Sequence, residues 1–336
     1  MANLFLTNVC GRGCSFCFAQ QGPWNEDYPA RAVSREEAAE FAELSASSGP
    51  RSVSLLGGEP LLHPDYCEIL QMLWAKGLSV RVFTSGSCPI PDGFHPAQLA
   101  GDITFIVNVS PMDTYTPERR RNLDKFFQTF GKHASLSHTM LRPDATPAFL
   151  LDYITEYGLK PFIRVGIALP MLNKRNDHVL ASQYQAIGSS FMDLARDAAE
   201  RRIRLTMDCG FVACMFSADE IGLLFKLGTK VQFVCSPVVD VGPRLEAWHC
   251  FPLAGLPRIS LRKCSSIAKG RMLFEKMTKG LAPSGIYPRC KRCIYREHGQ
   301  CSGGCIALRV QDSDGIIDAA RAACASLEAD ERICLP

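Results

Sequence analysis

The chain has 336 residues, enough for one large domain and a smaller one. With 47% hydrophobic residues, 21% charged residues and a formal net charge of +3, it reads as an ordinary globular protein, and neither nucleic acid nor an anionic membrane is an expected partner. The longest apolar runs are strand-sized, short of the roughly 20 residues that span a bilayer. Residues 1–9 are too short and too uncharged for a signal peptide, so the expected location is the cytoplasm.

The six strand expectations, in chain order, are 3–7, 52–56, 79–84, 103–109, 135–141 and 162–168, each a short, nearly continuous apolar run as in a parallel sheet buried on both faces. Helical patterns follow each of them. The clearest opens at Ser34, where Ser34-Arg35-Glu36-Glu37 forms a capping box ahead of an Ala/Glu/Leu helix. Others are expected near Pro64, Pro117, Thr146 and about Val179. Six β/α units in about 200 residues predict a partial TIM-type (β/α)6 barrel, with ligands at the carboxyl ends of the strands. After 207 the texture becomes rich in Cys, Gly and Pro, with short strands at 238–241 and 245–248 and helices at 271–279 and 318–330. The expected division is therefore 1–207 and 208–336, the second part small, loop-rich and in need of metal to constrain it. The run Arg119-Arg120-Arg121 reads as a solvated helix face.

Cysteine usage is the anomaly. Sixteen cysteines without an export signal point to thiolates that hold metal. Three lie within 10–17 and eleven after residue 208. Cys67 and Cys88, between them, read as small buried hydrophobes.

Cys10, Cys14 and Cys17 have the spacing C-x3-C-x2-C directly after the first strand. Three thiolates in one compact loop can hold three irons of a cubane and leave the fourth open. A zinc loop would ask for a fourth ligand, and none lies nearby in sequence. Gly57-Gly58-Glu59-Pro60 follows the second strand, where glycines permit close backbone approach and carbonyls and the Glu59 carboxylate can accept from an ammonium. Together these features resemble the radical S-adenosylmethionine (SAM) superfamily. The resemblance implies a [4Fe–4S] cluster on Cys10, Cys14 and Cys17, SAM chelated to its open iron, and reductive cleavage of SAM to a 5′-deoxyadenosyl radical. It further implies that Phe16 shields the cluster, that Gly57, Gly58, Glu59 and Pro60 receive the methionyl group, and that Thr84 and Ser85 line the cofactor. Asn108 and Ser110 would contact the ribose, and the strand bearing Arg164 and Ile167 would contact the adenine.

The later cysteines include Cys290, Cys293, Cys301 and Cys305 in C-x2-C-x7-C-x3-C, with Cys235 and Cys250 upstream and Cys324 downstream. This resembles the SPASM extension of radical SAM enzymes, which carries one or two auxiliary [4Fe–4S] clusters; here the central gap is seven residues where the family usually has five. The resemblance implies an inner cluster on Cys235, Cys250 and Cys305 and an outer one on Cys290, Cys293, Cys301 and Cys324. The inner set lacks a fourth ligand, for which Cys214 and Cys209 are the candidates, with Cys264 behind them. A zinc ribbon and a single-cluster version of the extension are the alternatives.

An auxiliary cluster can take the second electron of a net two-electron oxidation, which also asks for a base. Asp208 is the first candidate and Asp240 the second; Cys209 could instead donate hydrogen in an epimerisation. The function implied is oxidation or crosslinking of a peptide or protein side chain. The alternatives are dehydrogenation or epimerisation of a sugar, cyclitol or amino-acid-derived metabolite, and a non-catalytic electron carrier. With the first motif at residue 10, peptide recognition would fall to a separate protein or to the C-terminal part. An external electron donor such as flavodoxin or ferredoxin is an expected partner.

Overall fold

The computed structural model describes residues 2–335 apart from 22–31, 48–50, 100, 145–146, 173, 237, 265, 279–284, 311–317 and 323–333. The helix expectation near Thr146, most of that at 318–330, and Cys324 lie outside the described residues; 318–322 are helical.

The six expected strands are present as β1 (Ala2–Phe5), β2 (Ser52–Leu56), β3 (Ser79–Thr84), β4 (Ile103–Asn108), β5 (Ala134–Met140) and β6 (Phe162–Ile167). The run ahead of Asp208 joins them as β7 (Arg204–Met207), and β8 (Val239–Val241), β9 (Glu246–Trp248), β10 (Arg258–Ser260) and β11 (Cys334–Leu335) follow. Among the described residues these strands form one sheet, in the order β11-β10-β9-β8-β1-β2-β3-β4-β5-β6-β7. From β8 to β7 every pairing is parallel, while β9, β10 and β11 are added antiparallel. The segment after residue 207 therefore extends the barrel sheet through β8, which pairs with β1. β7 and β8 stand at opposite ends of the parallel run, and the barrel is open between them.

Strand alternation gives the sheet two different faces. On β3, buried Val80, Val82 and Thr84 alternate with half-buried Ser79, Arg81 and Phe83. The first set packs against helices, as Phe105 of β4 does against Phe126 and Phe130 with ring centroids 5.2 Å apart. On the other face the register aligns Asp240 with Asn3, Asn3 with Ser54, Ser54 with Arg81 and Arg81 with Thr104. Further along, Asn108 aligns with Ser137, Ser137 with Arg164 and Arg164 with Thr206. Hydrocarbon goes to the helix side, and a polar wall is left facing the barrel lumen.

Local signals set the helices. The capping box is realised at helix Arg35–Ser47: Ser34 Oγ accepts from the Glu37 N–H at 3.2 Å, and Glu37 Oε2 accepts from the Ser34 N–H at 2.9 Å. Helix Pro117–Phe130 begins with proline after the N-cap Thr116 and buries Leu123, Phe126, Phe127 and Phe130 at helical spacing. Because the helix follows β4, its first turn lies at the carboxyl end of the sheet. That position brings Arg119 to the functional edge.

Candidate cluster and cofactor site

Cys10, Cys14 and Cys17 occupy the loop between β1 and the short helix Phe18–Gln21. The Cys17 N–H donates to the Cys14 carbonyl at 3.0 Å, which turns the chain so that the second and third thiols share one bend. Gly13 supports that bend at φ +67, a left-handed value that disfavours a side chain. Burial raises the Cys10 pKa, an N–H from Arg12 opposes the rise, and the neighbouring Glu59, Cys17 and Cys14 add to it.

The loop is pinned from three sides. Arg12 Nη1 donates to the Asn108 carbonyl at 2.7 Å and Nη2 to Ser110 Oγ at 2.8 Å, with the guanidinium 5.3 Å from the Tyr115 ring centroid. Arg119 donates to the Gly11 carbonyl. The Asp177 N–H donates to the Ser15 carbonyl at 3.1 Å and Asn176 Nδ2 to the Phe16 carbonyl at 3.4 Å. The expectation of a purely solvated Arg119–Arg121 run is thus corrected, because the first arginine reaches the cluster loop. Arg12, Arg119 and Asn176 escaped the sequence reading. Arg12, a lone arginine between two glycines inside the cysteine motif, was the available signal.

Gly57 and Gly58 are required by packing rather than by turn geometry. A Cβ on Gly57 would lie 2.5 Å from the Thr7 carbonyl oxygen, and one on Gly58 2.3 Å from that of Val9. The Gly58 and Glu59 N–H groups donate to those same carbonyls at 2.6 and 2.7 Å. The glycine-rich loop is therefore docked, backbone to backbone, on the segment leading into Cys10. The carbonyls of Gly57 and Gly58 accept no hydrogen bond among the described residues.

The Glu59 carboxylate is not a free acceptor. It is buried at 2% exposure. It accepts from Thr84 Oγ1 at 2.6 Å, the Ser85 N–H at 2.9 Å, Ser85 Oγ at 2.6 Å and the Leu61 N–H at 3.4 Å. Glu59, Thr84 and Ser85 thus form one bracket that ties the loop after β2 to the end of β3, and Pro60, itself buried, opens the turn Pro60–Leu62. Cys88 lies in the same neighbourhood: burial raises its pKa, and Glu59 and Cys10 raise it further. It packs against the core, as its reading as a small hydrophobe requires.

Across the lumen, Arg164 Nη2 pairs with Asp208 Oδ1 at 2.6 Å, the two side chains being 30% and 28% exposed. The same guanidinium sits 4.9 Å from the Phe83 ring centroid, which lies three strands away. Asn108 Nδ2 donates to Thr139 Oγ1 at 3.3 Å. Ile167 is buried at 3% exposure and its N–H donates to the Cys209 carbonyl at 3.1 Å. Neither its side chain nor its amide is open to a cofactor. Phe16 is half-buried against the main core. Asp240 is buried, accepts from Asn3 Nδ2 at 2.6 Å, and is pushed by burial up to about 8.

The later thiols fall into two groups. Burial and then Cys305, Cys235 and Asp240 raise Cys250 well above its ordinary value. Burial and Cys235 push Cys305 up to about 11, against N–H groups of Ala307 and Leu308 at the start of helix Ile306–Val310. The Asp208 carboxylate, then burial, and also Cys235 and Cys305 raise Cys209. Cys209 and Cys250 are thus each within electrostatic reach of Cys235 and Cys305. Burial raises Cys214, a hydrogen bond with Arg289 opposes this, and Cys290 and Cys301 add to the rise. Cys214 stands with the second group. Cys293 follows in the chain between the turn Pro288–Arg292 and helix Ile294–Glu297, and Cys264 is buried in the core. Among the described residues no three His, Cys, Asp or Glu side chains converge as ligands of a single metal ion. A cubane asks for less convergence, since each thiolate binds a different iron.

A family profile described as the Radical SAM superfamily matches residues 4–181. The chain belongs to the radical SAM superfamily. Its cofactors are accordingly a [4Fe–4S] cluster and SAM, and the donor set fits them: three thiols in one pinned loop, with the glycine-rich loop and its two unengaged carbonyls docked on the segment that leads into it. Among curated proteins, the chain is 30% identical over 121 residues to a probable GTP 3′,8-cyclase of Methanocaldococcus jannaschii, spanning 36% of this chain and 39% of that protein. It is 27% identical over 180 residues to an S-adenosylmethionine-dependent nucleotide dehydratase of Flammeovirga pacifica, spanning 53% of this chain and 57% of that protein. The chain thus matches only about half the length of these relatives. Among solved structures, Streptococcus suis SuiB bound to S-adenosylmethionine aligns over 94% of this chain and 76% of its own, with TM-score 0.64 and 14% identity. Native anSMEcpe with bound AdoMet aligns over 96% and 95%, with TM-score 0.63 and 14% identity. Residues 1–207 are under two thirds of the chain, so this likeness of fold reaches well into the C-terminal segment. No helix among the described residues is long and apolar enough to cross a membrane.

Proposed function

We propose that the chain is a radical SAM enzyme that oxidises or crosslinks a peptide or protein side chain, with residues 1–207 bearing the SAM-cleaving centre and 208–336 a SPASM-like region of auxiliary [4Fe–4S] clusters. The observation that carries this reading is the second set of grouped thiols, whose member Cys209 stands on the same edge of the sheet as Cys10. Cys10 follows β1 and Cys209 follows β7, both at carboxyl ends of parallel strands.

When bound, the cluster and SAM supply reductive C–S cleavage and a hydrogen-abstracting 5′-deoxyadenosyl group. Cys10, Cys14 and Cys17 hold three irons. The Gly57 and Gly58 carbonyls receive the methionyl ammonium, while Glu59, through Thr84 and Ser85, holds their loop in place. Arg12 fixes the cluster loop against the end of β4, beside Asn108 and Ser110. Asp208, oriented by Arg164, is the base that receives a substrate proton in the lumen. Cys209 joins Cys235, Cys250 and Cys305 as the fourth ligand of the inner auxiliary cluster, in place of Cys214. Cys290, Cys293 and Cys301 hold the outer one with Cys324, and Cys214 lies beside it.

The peptide reading is supported by likeness of fold over nearly the whole chain to SuiB, whose structure has been solved bound to its precursor peptide SuiA. A second reading, a nucleotide or other small metabolite as substrate, is favoured by the curated relatives, whose names describe action on GTP and on nucleotides. Anaerobically reconstituted protein with SAM and a strong reductant is expected to release 5′-deoxyadenosine, faster with a peptide pool than with nucleoside triphosphates. Stimulation by the nucleotides alone would support the second reading. No release from protein with its iron in place would overturn both.

A further inference from the structure

A surface cavity of about 450 Å³ lies between the start of helix Tyr184–Glu200 and the turn Pro288–Arg292, and the mechanism above uses none of the side chains that line it. One wall is Ala181, Ser182 and Gln185, and the other is Tyr287, Pro288 and Arg289. The walls are clipped together. Tyr287 Oη donates to the Ala181 carbonyl at 2.5 Å, and the Arg289 guanidinium lies 4.7 Å from the Tyr287 ring centroid. The volume falls within the roughly 300–1,000 Å³ of ligand-binding clefts.

The cavity stands at the functional edge of the sheet. Helix Tyr184–Glu200 follows β6, so its first turn lies at the carboxyl ends of the parallel strands, as Cys10 and Cys209 do. The Val179 N–H donates to the carbonyl of Ala168, just past β6, at 3.0 Å, and the Asp177 N–H reaches the Ser15 carbonyl of the cluster loop at 3.1 Å. Ala181 lies four residues beyond Asp177. At most about 14 Å of chain therefore separates the cavity wall from the contact with the cluster loop, a distance that an extended peptide of about five residues covers.

The rim is apolar on one side and cationic on the other. Leu180, next to Ala181, is 54% exposed. Arg289, Lys291 and Arg292 are exposed, and the turn that carries them contains no carboxylate. None of the three makes an ion pair among the described residues. This combination fits a partner that bears both apolar side chains and carboxylates. A folded carrier protein presses on a flat patch, whereas a cavity that receives side chains suits an extended chain.

We propose that this cavity binds an acidic segment of the substrate peptide, a few residues away from the side chain that is modified. The inference rests on the peptide reading above. An apolar side chain enters between the two walls, and neighbouring carboxylates meet Arg289, Lys291 and Arg292. Ser182 and Gln185 offer a hydroxyl and an amide to the peptide backbone. Sequence is thereby read at a distance from the chemistry, by the joint between the barrel and the C-terminal segment.

The test is fluorescence anisotropy of the reconstituted holoprotein with two fluorescein-labelled peptide pools, randomised around a fixed Leu-Glu-Glu or a fixed Leu-Gln-Gln core. The acidic pool is expected to bind about tenfold more tightly, because a few exposed ion pairs together are worth about one decade in affinity. The double variant Lys291→Glu, Arg292→Glu is expected to erase that preference. Ser182→Trp, which fills the cavity, is expected to lose both pools with its iron content unchanged. Equal binding of the two pools by wild type, or wild-type affinity in the filled variant, overturns the proposal. If the filled variant loses iron, p-benzoylphenylalanine at position 185 decides: light must crosslink it to the acidic pool, and no adduct overturns the assignment. Saturable binding of flavodoxin with neither pool bound overturns it in favour of an electron-carrier surface. Release of 5′-deoxyadenosine that nucleoside triphosphates stimulate and no peptide pool does would instead overturn the peptide reading itself, a result distinct from an unselective cavity.

Discussion

Asp240→Asn is expected to stabilise the apo-protein near neutral pH and to leave it unchanged near pH 4. The native carboxyl is buried at 2% exposure and titrates at about 8, against an ordinary value of 3.8, because burial disfavours the charged form more than the Asn3 hydrogen bond favours it. As pH rises past 3.8 the unfolded chain loses this proton first, so the native state binds more protons throughout the window from 3.8 to about 8. Stability attributable to Asp240 therefore falls with rising pH, at up to about 1.4 kcal/mol per pH unit, and levels off above 8. By pH 7 the accumulated loss is roughly 4 kcal/mol as an upper bound. Asparagine keeps the shape and the acceptor for Asn3 Nδ2 but has no charge to bury. Urea unfolding of both proteins between pH 4.5 and 7.5 isolates the effect, since every other titrating group cancels in the difference. A difference that does not grow with pH would refute the reasoning. It would mean that the Asp240 carboxylate is solvated or paired.

Glu59→Ala should cost about 3–5 kcal/mol in the same unfolding assay, because four hydrogen bonds to one buried carboxylate disappear and Thr84 and Ser85 lose their acceptor; a loss below about 1 kcal/mol would show that the bracket is solvated. Arg12→Ala removes two charge-assisted hydrogen bonds to the end of β4, each worth about 1.5–3 kcal/mol. Its expected signature is a broadened cluster spectrum and weaker SAM binding by equilibrium dialysis, while Arg12→Lys recovers only part because it cannot span both acceptors. Ser34→Ala breaks the capping box and should lower stability by about 1 kcal/mol without altering SAM binding.

What was legible in the sequence was what is local in the chain. The three cluster thiols fall within eight residues, and the strands announce themselves as short β-rich runs, although the lumen face of those runs is polar rather than the apolar face expected of a sheet buried on both sides. Cys209 and Cys214 show where that ends. Five positions apart, either could complete the inner set by spacing alone. The structure separates them through a turn at Gly210, φ +105, followed by the short turn Ala213–Met215, and each faces a different group of thiols. The partners of Glu59, the pairing of Arg164 with Asp208 and the reach of Arg119 to Gly11 are set by strand register and helix placement, which no local pattern encodes.

The central claim is that Cys10, Cys14 and Cys17 hold a cluster whose fourth iron is open to SAM. It is tested most directly in a variant with Cys209, Cys235, Cys250, Cys290, Cys293, Cys301 and Cys305 replaced by alanine, which retains only that centre. Electron paramagnetic resonance of the reduced protein is then recorded before and after adding SAM. The account predicts a single [4Fe–4S] signal that changes shape when SAM is added, and that disappears when Cys10, Cys14 and Cys17 are also replaced. A signal indifferent to SAM, or one that survives loss of those three thiols, would contradict it.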